Sequence, residues 1–189
     1  MSLPRSKIYL SVADYLEGER DGDIRHEYID GQVYAMAGSG DRHNRISINL
    51  TSRLDAHLTN SRCDVFIADM KVMVDPVVFY YPDVVVTCDD PISDDYYRNE
   101  PSLVVEVLSP STERIDRSEK LFAYRRVPSL QEYVLVSQDR FQLEIYRRQT
   151  GDVWTHEIFT NADDEIHFTS VTLTLSLQDI YRNVRFPEN

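Results

Sequence analysis

The sequence predicts a mixed α/β (α+β) domain, a mixed β-sheet with helices packed on it. Three observations lead there. The run Leu103–Leu108 is apolar except for Glu106, the pattern of a strand covered on both faces. Ile46, Leu50, Leu54 and Leu58 recur every fourth residue, which draws an apolar stripe along one helix. Helical and strand patterns also interleave along the chain and then give way to further strands, an order that suits helices layered on a sheet.

With 189 residues and 22.0 kDa, the chain is expected to form one domain, residues 1–189, around a sizeable core. No apolar run approaches the roughly 18 residues that a membrane span needs. The first residues, Met-Ser-Leu-Pro-Arg-Ser-Lys, lack the apolar core of a secretion signal. Cys63 and Cys88 have no metal-type spacing and suggest no disulfide framework, so a cytoplasmic protein is expected. Acidic residues outnumber basic ones, 32 to 20, for a net charge of -12. That balance weighs against tight non-specific duplex binding, which Lys and Arg drive, but leaves room for a local basic surface.

Ser11 precedes a short helix as its cap, with Asp14 in the first turn and an end in the Gly18–Gly22 region. Asp30-Gly31 between two β-prone runs predicts a hairpin, with Glu27 on its first strand and Val33–Ala37 on its second. Residues 38–41 are expected to cap a helix over Arg42–Leu58, with His43 at its entrance. Asp64–Val74 reads as one strand with Asp69 and Lys71 on a shared face. Pro82 suits the edge of a strand beginning at Asp83, and the acidic stretch 89–100 reads as a solvated loop. Asp116 and Glu119 have the spacing of a capping box for a helix over Arg117–Arg126, which sets Lys120 and Tyr124 on one side. Glu132–Ser137 and Phe141–Arg147 form a hairpin, followed by strands at Val153–Thr160 and Val171–Leu175 and a short helix at Leu177–Tyr181.

Asp83 and Glu106 stand in strands that otherwise read as buried. An ionised carboxylate is too costly to bury without a cation or hydrogen-bond donors. One solution is a shared divalent ion, because Mg²⁺ takes oxygen ligands and is held by one or two carboxylates while keeping water. The Val107 carbonyl can complete such a set, and Lys120 would lie close by. The competing solution is a salt bridge between Glu106 and Lys120 that needs no metal.

Several segments together resemble a known family: Tyr28-Ile-Asp-Gly-Gln-Val-Tyr, His43, Tyr81-Pro-Asp-Val-Val-Val, Leu103-Val-Val-Glu-Val-Leu-Ser-Pro-Ser-Thr, Asp116 with Lys120 and Tyr124, and Glu132-Tyr-Val-Leu-Val. The pattern is similar to the Uma family of proposed restriction endonucleases, within the PD-(D/E)XK nuclease superfamily, and covers most of residues 10–137. The resemblance implies a restriction-endonuclease-like sheet core with additional C-terminal antiparallel strands, a Mg²⁺ (or Mn²⁺) ion and hydrolysis of DNA phosphodiester bonds. It implies Asp83, Glu106 and the Val107 carbonyl as metal ligands, with Lys120, Glu27 and His43 completing the catalytic set. The superfamily's lysine stands two residues after the second acid, where this chain has Leu108; the family's lysine comes instead from the next helix, here Lys120. Asp69-Met-Lys71 matches D-x-K literally but precedes Pro-Asp, the reverse of the superfamily order, and reads as a polar strand face. A homodimer is expected by analogy, since two-fold symmetry suits duplex cutting.

Two other readings remain at this point. A catalytically weak protein of the same fold, acting as an interaction module, would suit the acidic charge. A hydrolase of small phosphate esters is the other, against which stands the absence of a G-x-x-x-x-G-K loop.

Overall fold

The computed structural model describes residues 9–88 and 94–186. Asp89 and Asp90 of the acidic loop and residues 1–7 lie outside the described residues. Helix α1 (Val12–Asp21) starts where the sequence places it, with the Ser11 hydroxyl accepting from the Asp14 N–H at 3.1 Å. The hairpin of β1 (His26–Ile29) and β2 (Gln32–Ala35) turns at Asp30 and Gly31, with φ of 44° and 82°. Positive φ at both central residues is what a tight two-residue hairpin requires. Helix α2 (Asp41–Leu58) buries its predicted stripe, but Gly40 precedes it without a side-chain cap; Asp41 lies in the first turn, where its charge complements the helix dipole.

The segment read as one strand, Asp64–Val74, is two. Ala68 adopts φ 54°, which breaks the pleat between β3 (Asp64–Ile67) and β4 (Lys71–Asp75) and sends them to different sheets. Next come β5 (Val78–Tyr80), β6 (Val84–Thr87), the two-residue β7 (Tyr97–Arg98) and the long β8 (Pro101–Leu108). The helix expected over Arg117–Arg126 begins earlier and is irregular. It runs from α3 (Glu113–Ile115) through a wide π-helical turn (Asp116–Lys120) to α4 (Leu121–Tyr124). Asp116 therefore caps nothing; it is buried inside the helical stretch. Strands β9 (Glu132–Ser137), β10 (Leu143–Arg148) and β11 (Trp154–Phe159) follow as predicted. The chain then forms β12 (Glu165–Phe168), which the sequence reading missed, β13 (Leu173–Ser176) and α5 (Leu177–Ile180).

Six strands form the main sheet in the order β11-β10-β9-β8-β6-β3, with β8 and β9 parallel. Five form a second sheet, β2-β1-β5-β4-β7, and β12 pairs with β13. The mixed sheets flanked by helices, with antiparallel strands after β9, match the predicted fold class. Alternation along β6 and β8 sorts the core. Val84, Val86, Leu103, Val105 and Val107 pack with the α2 stripe, whereas Val85, Val104 and Leu108 face Leu121, Tyr124 and the second sheet. Glu106 shares the second face, as strand alternation requires.

The expectation of two unpaired cysteines fails. Asp64 pairs with Thr87, so the same antiparallel register carried one step further sets Cys63 against Cys88, and the two form a disulfide. Spacing in sequence gave no hint, because the proximity comes from strand pairing.

At the base of β9, Glu132 is fully buried. It accepts from Arg147 Nε at 2.9 Å and from the backbone N–H groups of Thr169 and Ser170 at 3.0 and 2.9 Å. Both hydroxyls of that turn also donate to it. This carboxylate ties the turn after β12 to the main sheet. Glu132→Ala strands the buried guanidinium and those donors, and is expected to cost about 3–5 kcal/mol in urea unfolding. A loss below about 1 kcal/mol would remove the latch from the account.

Candidate active site

Three strand and helix features converge at the end of the main sheet where β6 begins and β8 ends. The pair Val84↔Val105, continued by one residue, puts Asp83 opposite Glu106. Directly opposed residues in an antiparallel pair have their Cβ atoms roughly 4.5–5.5 Å apart. The Asp83 carboxylate takes up the N–H of Val107 through Oδ2 at 2.7 Å, and its Oδ1 meets His43 Nε2 at 2.7 Å. The amide N–H and the carbonyl of one strand residue share an edge, so the Val107 carbonyl faces the Asp83 side. Helix α2 supplies His43 from its first turn, which binds the helix entrance to the start of β6.

Lys120 enters from the opposite layer. Its ammonium lies 3.1 Å from Glu106 Oε1, 2.8 Å from Glu27 Oε1 and 3.3 Å from Asp116 Oδ1. Asp116 is at ion-pair distance without hydrogen-bond alignment, and its Oδ1 is left without a hydrogen-bond partner among the described residues. The wide turn puts Asp116 and Lys120 on one side of the helical stretch and directs both inward. Such single π-turns recur at functional sites. The Tyr133 hydroxyl donates to the Asp116 carbonyl at 3.0 Å and so supports the turn from β9. Tyr124 packs below, fully buried between Tyr80 and Tyr133, with its hydroxyl unpartnered. The structure thus brings Asp83, Glu106, Lys120, Glu27 and His43 into one cluster.

Burial pushes the Glu106 carboxyl well above its usual range; Lys120 opposes this, while Asp116, Asp83 and Glu27 add to it. Burial also raises Asp116, again against the pull of Lys120. For Lys120 burial acts downward, yet Glu106, Glu27 and Asp116 together hold the ammonium well above its ordinary value. The lysine therefore stays charged at neutral pH.

These residues fit a divalent cation. Four carboxylates, of Asp83, Glu106, Glu27 and Asp116, face one ammonium and one imidazole, so negative charge exceeds its compensation. The unpartnered Asp116 oxygen and Tyr124 hydroxyl are buried polar atoms of the kind that water or an ion satisfies. Among the described residues no three acid, histidine or cysteine side chains are disposed to enclose an ion by themselves. A cation here would rest on Asp83, Glu106 and the Val107 carbonyl and keep water on its other faces, as Mg²⁺ does.

Asp116 is the member that the cap reading obscured, although its i,i+4 spacing to Lys120 was visible in the sequence. Asp69 and Lys71 do not share a face. Asp69 has a side chain 79% exposed and lies 3.7 Å from Arg25. Lys71 is buried, donating to the Tyr81 hydroxyl at 3.2 Å, and that hydroxyl donates to Glu19 at 2.7 Å. Burial lowers the Lys71 pKa, partly offset by Glu19. Asp69 lies in the bend between β3 and β4, whereas Lys71 is the first residue of β4, so the two residues of the D-x-K match do not lie on one strand.

Residues 12–178 match the model of the Uma2 family, described as "Putative restriction endonuclease". The uncharacterized protein slr1290 of Synechocystis sp. is 37% identical over 180 residues, covering 94% of each chain. The uncharacterized protein sll1609 of the same organism is 32% identical over 168 residues, covering 86% of this chain and 95% of the relative. Among solved structures, a nuclease from Anabaena variabilis, described as putative and as belonging to DUF820, superposes with a TM-score of 0.68 at 18% identity. The superposition covers 82% of this chain and 89% of that one, and demonstrates a common fold.

The charge excess has a direct consequence for stability. Glu106→Gln keeps the shape and removes one of the competing negative charges. In metal-free buffer its thermal midpoint is expected to equal or exceed that of the parent protein. A fall equivalent to about 3–5 kcal/mol would instead mark Glu106 as half of a purely structural ion pair.

Proposed function

This chain belongs to the Uma2 family, and on that premise we propose that it is a Mg²⁺- or Mn²⁺-dependent endonuclease hydrolysing DNA phosphodiester bonds. The observation that carries the proposal is the convergence of Glu106, Glu27 and Asp116 on the buried ammonium of Lys120, with Asp83 opposite Glu106 on the neighbouring strand. Asp83, Glu106 and the Val107 carbonyl would hold the ion. When bound, such an ion neutralises charge on a phosphoryl oxygen and lowers the pKa of its water.

The remaining roles fall to the chain's own side chains. Lys120 keeps its proton and presents fixed positive charge beside the site, where it stabilises negative charge developing on the phosphate. Glu27 holds that ammonium at 2.8 Å, and the Tyr81 N–H donates to the same Glu27 oxygen at 3.4 Å. His43 orients Asp83 through Nε2. With Nε2–H donated to Asp83, its Nδ1 is left as an acceptor, buried and without a partner among the described residues.

DNA in the cytoplasm is the substrate this reading supplies. The Cys63–Cys88 disulfide is unusual for that compartment, where thiols are kept reduced. Among the described residues no helix is long and apolar enough to cross a membrane. A homodimer would bring two such sites to the two strands of a duplex. The net charge of -12 favours a second reading, an interaction module of the same fold with little catalysis.

Calorimetric titration with Mn²⁺ is expected to give binding heat that disappears in Asp83→Ala and Glu106→Ala. Unchanged heat in both variants would sink the site assignment. On supercoiled plasmid, Lys120→Met is expected to retain metal binding and lose about 10²–10³-fold in rate, the scale of removing one charge-stabilising donor. Absence of nicking by the parent protein across varied DNA substrates, with metal bound, would favour the interaction module.

A further inference from the structure

Beside the cluster around Lys120 lies a groove of about 760 Å³. Its position follows from the second sheet. Tyr28 pairs with Phe79 and Ile29 with Val78, so the register sets Glu27 opposite Tyr80. Glu27 and Ile29 lie on the same face of β1, two residues apart, which is about 6.6 Å along a strand. Ile29, Val78 and Tyr80 line the groove. The Tyr80 ring also has Lys120 Nζ 5.4 Å from its centre. Tyr80 is thus shared between the groove lining and the surroundings of Lys120.

The opposite wall comes from α4 and the segments beside β11, and its chemistry differs from the rest of this acidic chain. Phe122 is 66% exposed on a helix whose neighbouring residues Leu121 and Ala123 are buried. Trp154 forms the far end, with the Arg148 and Arg125 guanidinium carbons 4.6 and 5.7 Å from its ring centre. Two acids line the groove, and each is countered by an arginine outside it: Glu119 lies 4.0 Å from Arg114 and Asp152 lies 3.9 Å from Arg148. The two lining arginines, Arg125 and Arg126, have no ion-pair partner among the described residues. Two acids and two arginines thus line the groove, and the arginines stand beside its aromatic side chains.

Resting on the nuclease reading, we propose that this groove holds a single-stranded stretch of the DNA substrate flanking the cleaved bond. Unstacked bases rest against Phe122 and Trp154, and their phosphates meet Arg125 and Arg126. Aromatic platforms combined with cations along the backbone are the general means of holding single strands, and paired bases have no free face to offer them. A second copy of the chain would bring its own excess of acid to the arginines but no reason for an exposed phenylalanine beside a half-buried tryptophan.

The chain has one tryptophan, so Trp154 reports on the groove directly. Titration of the full chain with a twelve-nucleotide oligodeoxythymidylate in metal-free buffer is expected to quench its fluorescence. Phe122→Ala and Arg126→Ala, both at exposed positions, are each expected to weaken that binding about tenfold. Arg126→Ala should also flatten the salt dependence. Unchanged affinity in both variants, quenching by duplex alone, or quenching that tracks self-association in sedimentation without DNA would overturn the proposal. Cleavage of plasmid by a protein that shows no such quenching would refute the groove and leave the nuclease reading standing. Quenching that depends on Phe122 and Arg126 in a protein that cuts no DNA would support the groove and refute the nuclease.

Discussion

The central constraint in this protein is the burial of one ammonium, that of Lys120, among three carboxylates. Taking an amine and several acids out of water is expensive, and mutual attraction repays the cost only when the geometry is good. Here the geometry demands that four separate segments meet: β1 for Glu27, the end of β8 for Glu106, the wide helical turn for Asp116 and Lys120, and the start of β6 for Asp83. Each layer of the fold contributes one side of that meeting. The cluster is thus both a product of the tertiary structure and a reason for the layers to pack in one way.

The charges do not cancel. A salt bridge whose purpose was stability would pair one acid with one base and satisfy both. This cluster instead crowds four acids, raises the carboxyls of Glu106 and Asp116, and leaves Asp116 Oδ1 and the Tyr124 hydroxyl without a hydrogen bond among the described residues. Local conflict of this kind, set within a core that otherwise packs well, is what the proposed metal site would be expected to show. The helical stretch shows the same compromise, since a wide turn gives up regular hydrogen bonding where Lys120 is directed inward.

The sequence made part of this legible. Apolar periodicity located α2 and most strands because burial imposes a spacing on the residues that carry it. The Asp30-Gly31 turn was readable because few residues tolerate positive φ in succession. Asp83 and Glu106 stood out as acids within apolar runs. What escaped depended on pairing between distant segments. The Cys63–Cys88 disulfide comes from the β3–β6 register, and the division of β3 from β4 comes from a single positive φ at Ala68, a residue with no special preference for it. Asp116 was misread because acidic residues suit helix starts in general, while its actual position follows from a helix that begins earlier. The groove beside Tyr80 had no sequence signature at all, since its aromatic and basic residues come from separate elements.

On the nuclease reading, taking the lysine from the following helix rather than from the strand would keep the chemistry while changing its support. The position two residues after Glu106 is Leu108, which joins the apolar layer with Val104 and leaves the strand free to pack. The ammonium then arrives from across that layer. The claim that the acids assemble for a metal is tested most directly by a crystal soaked in Mn²⁺ and measured at an anomalous wavelength. The account predicts a difference peak between the Asp83 and Glu106 carboxylates, within coordination distance of the Val107 carbonyl. A fully occupied Glu106–Lys120 ion pair with no peak at saturating Mn²⁺ would contradict it.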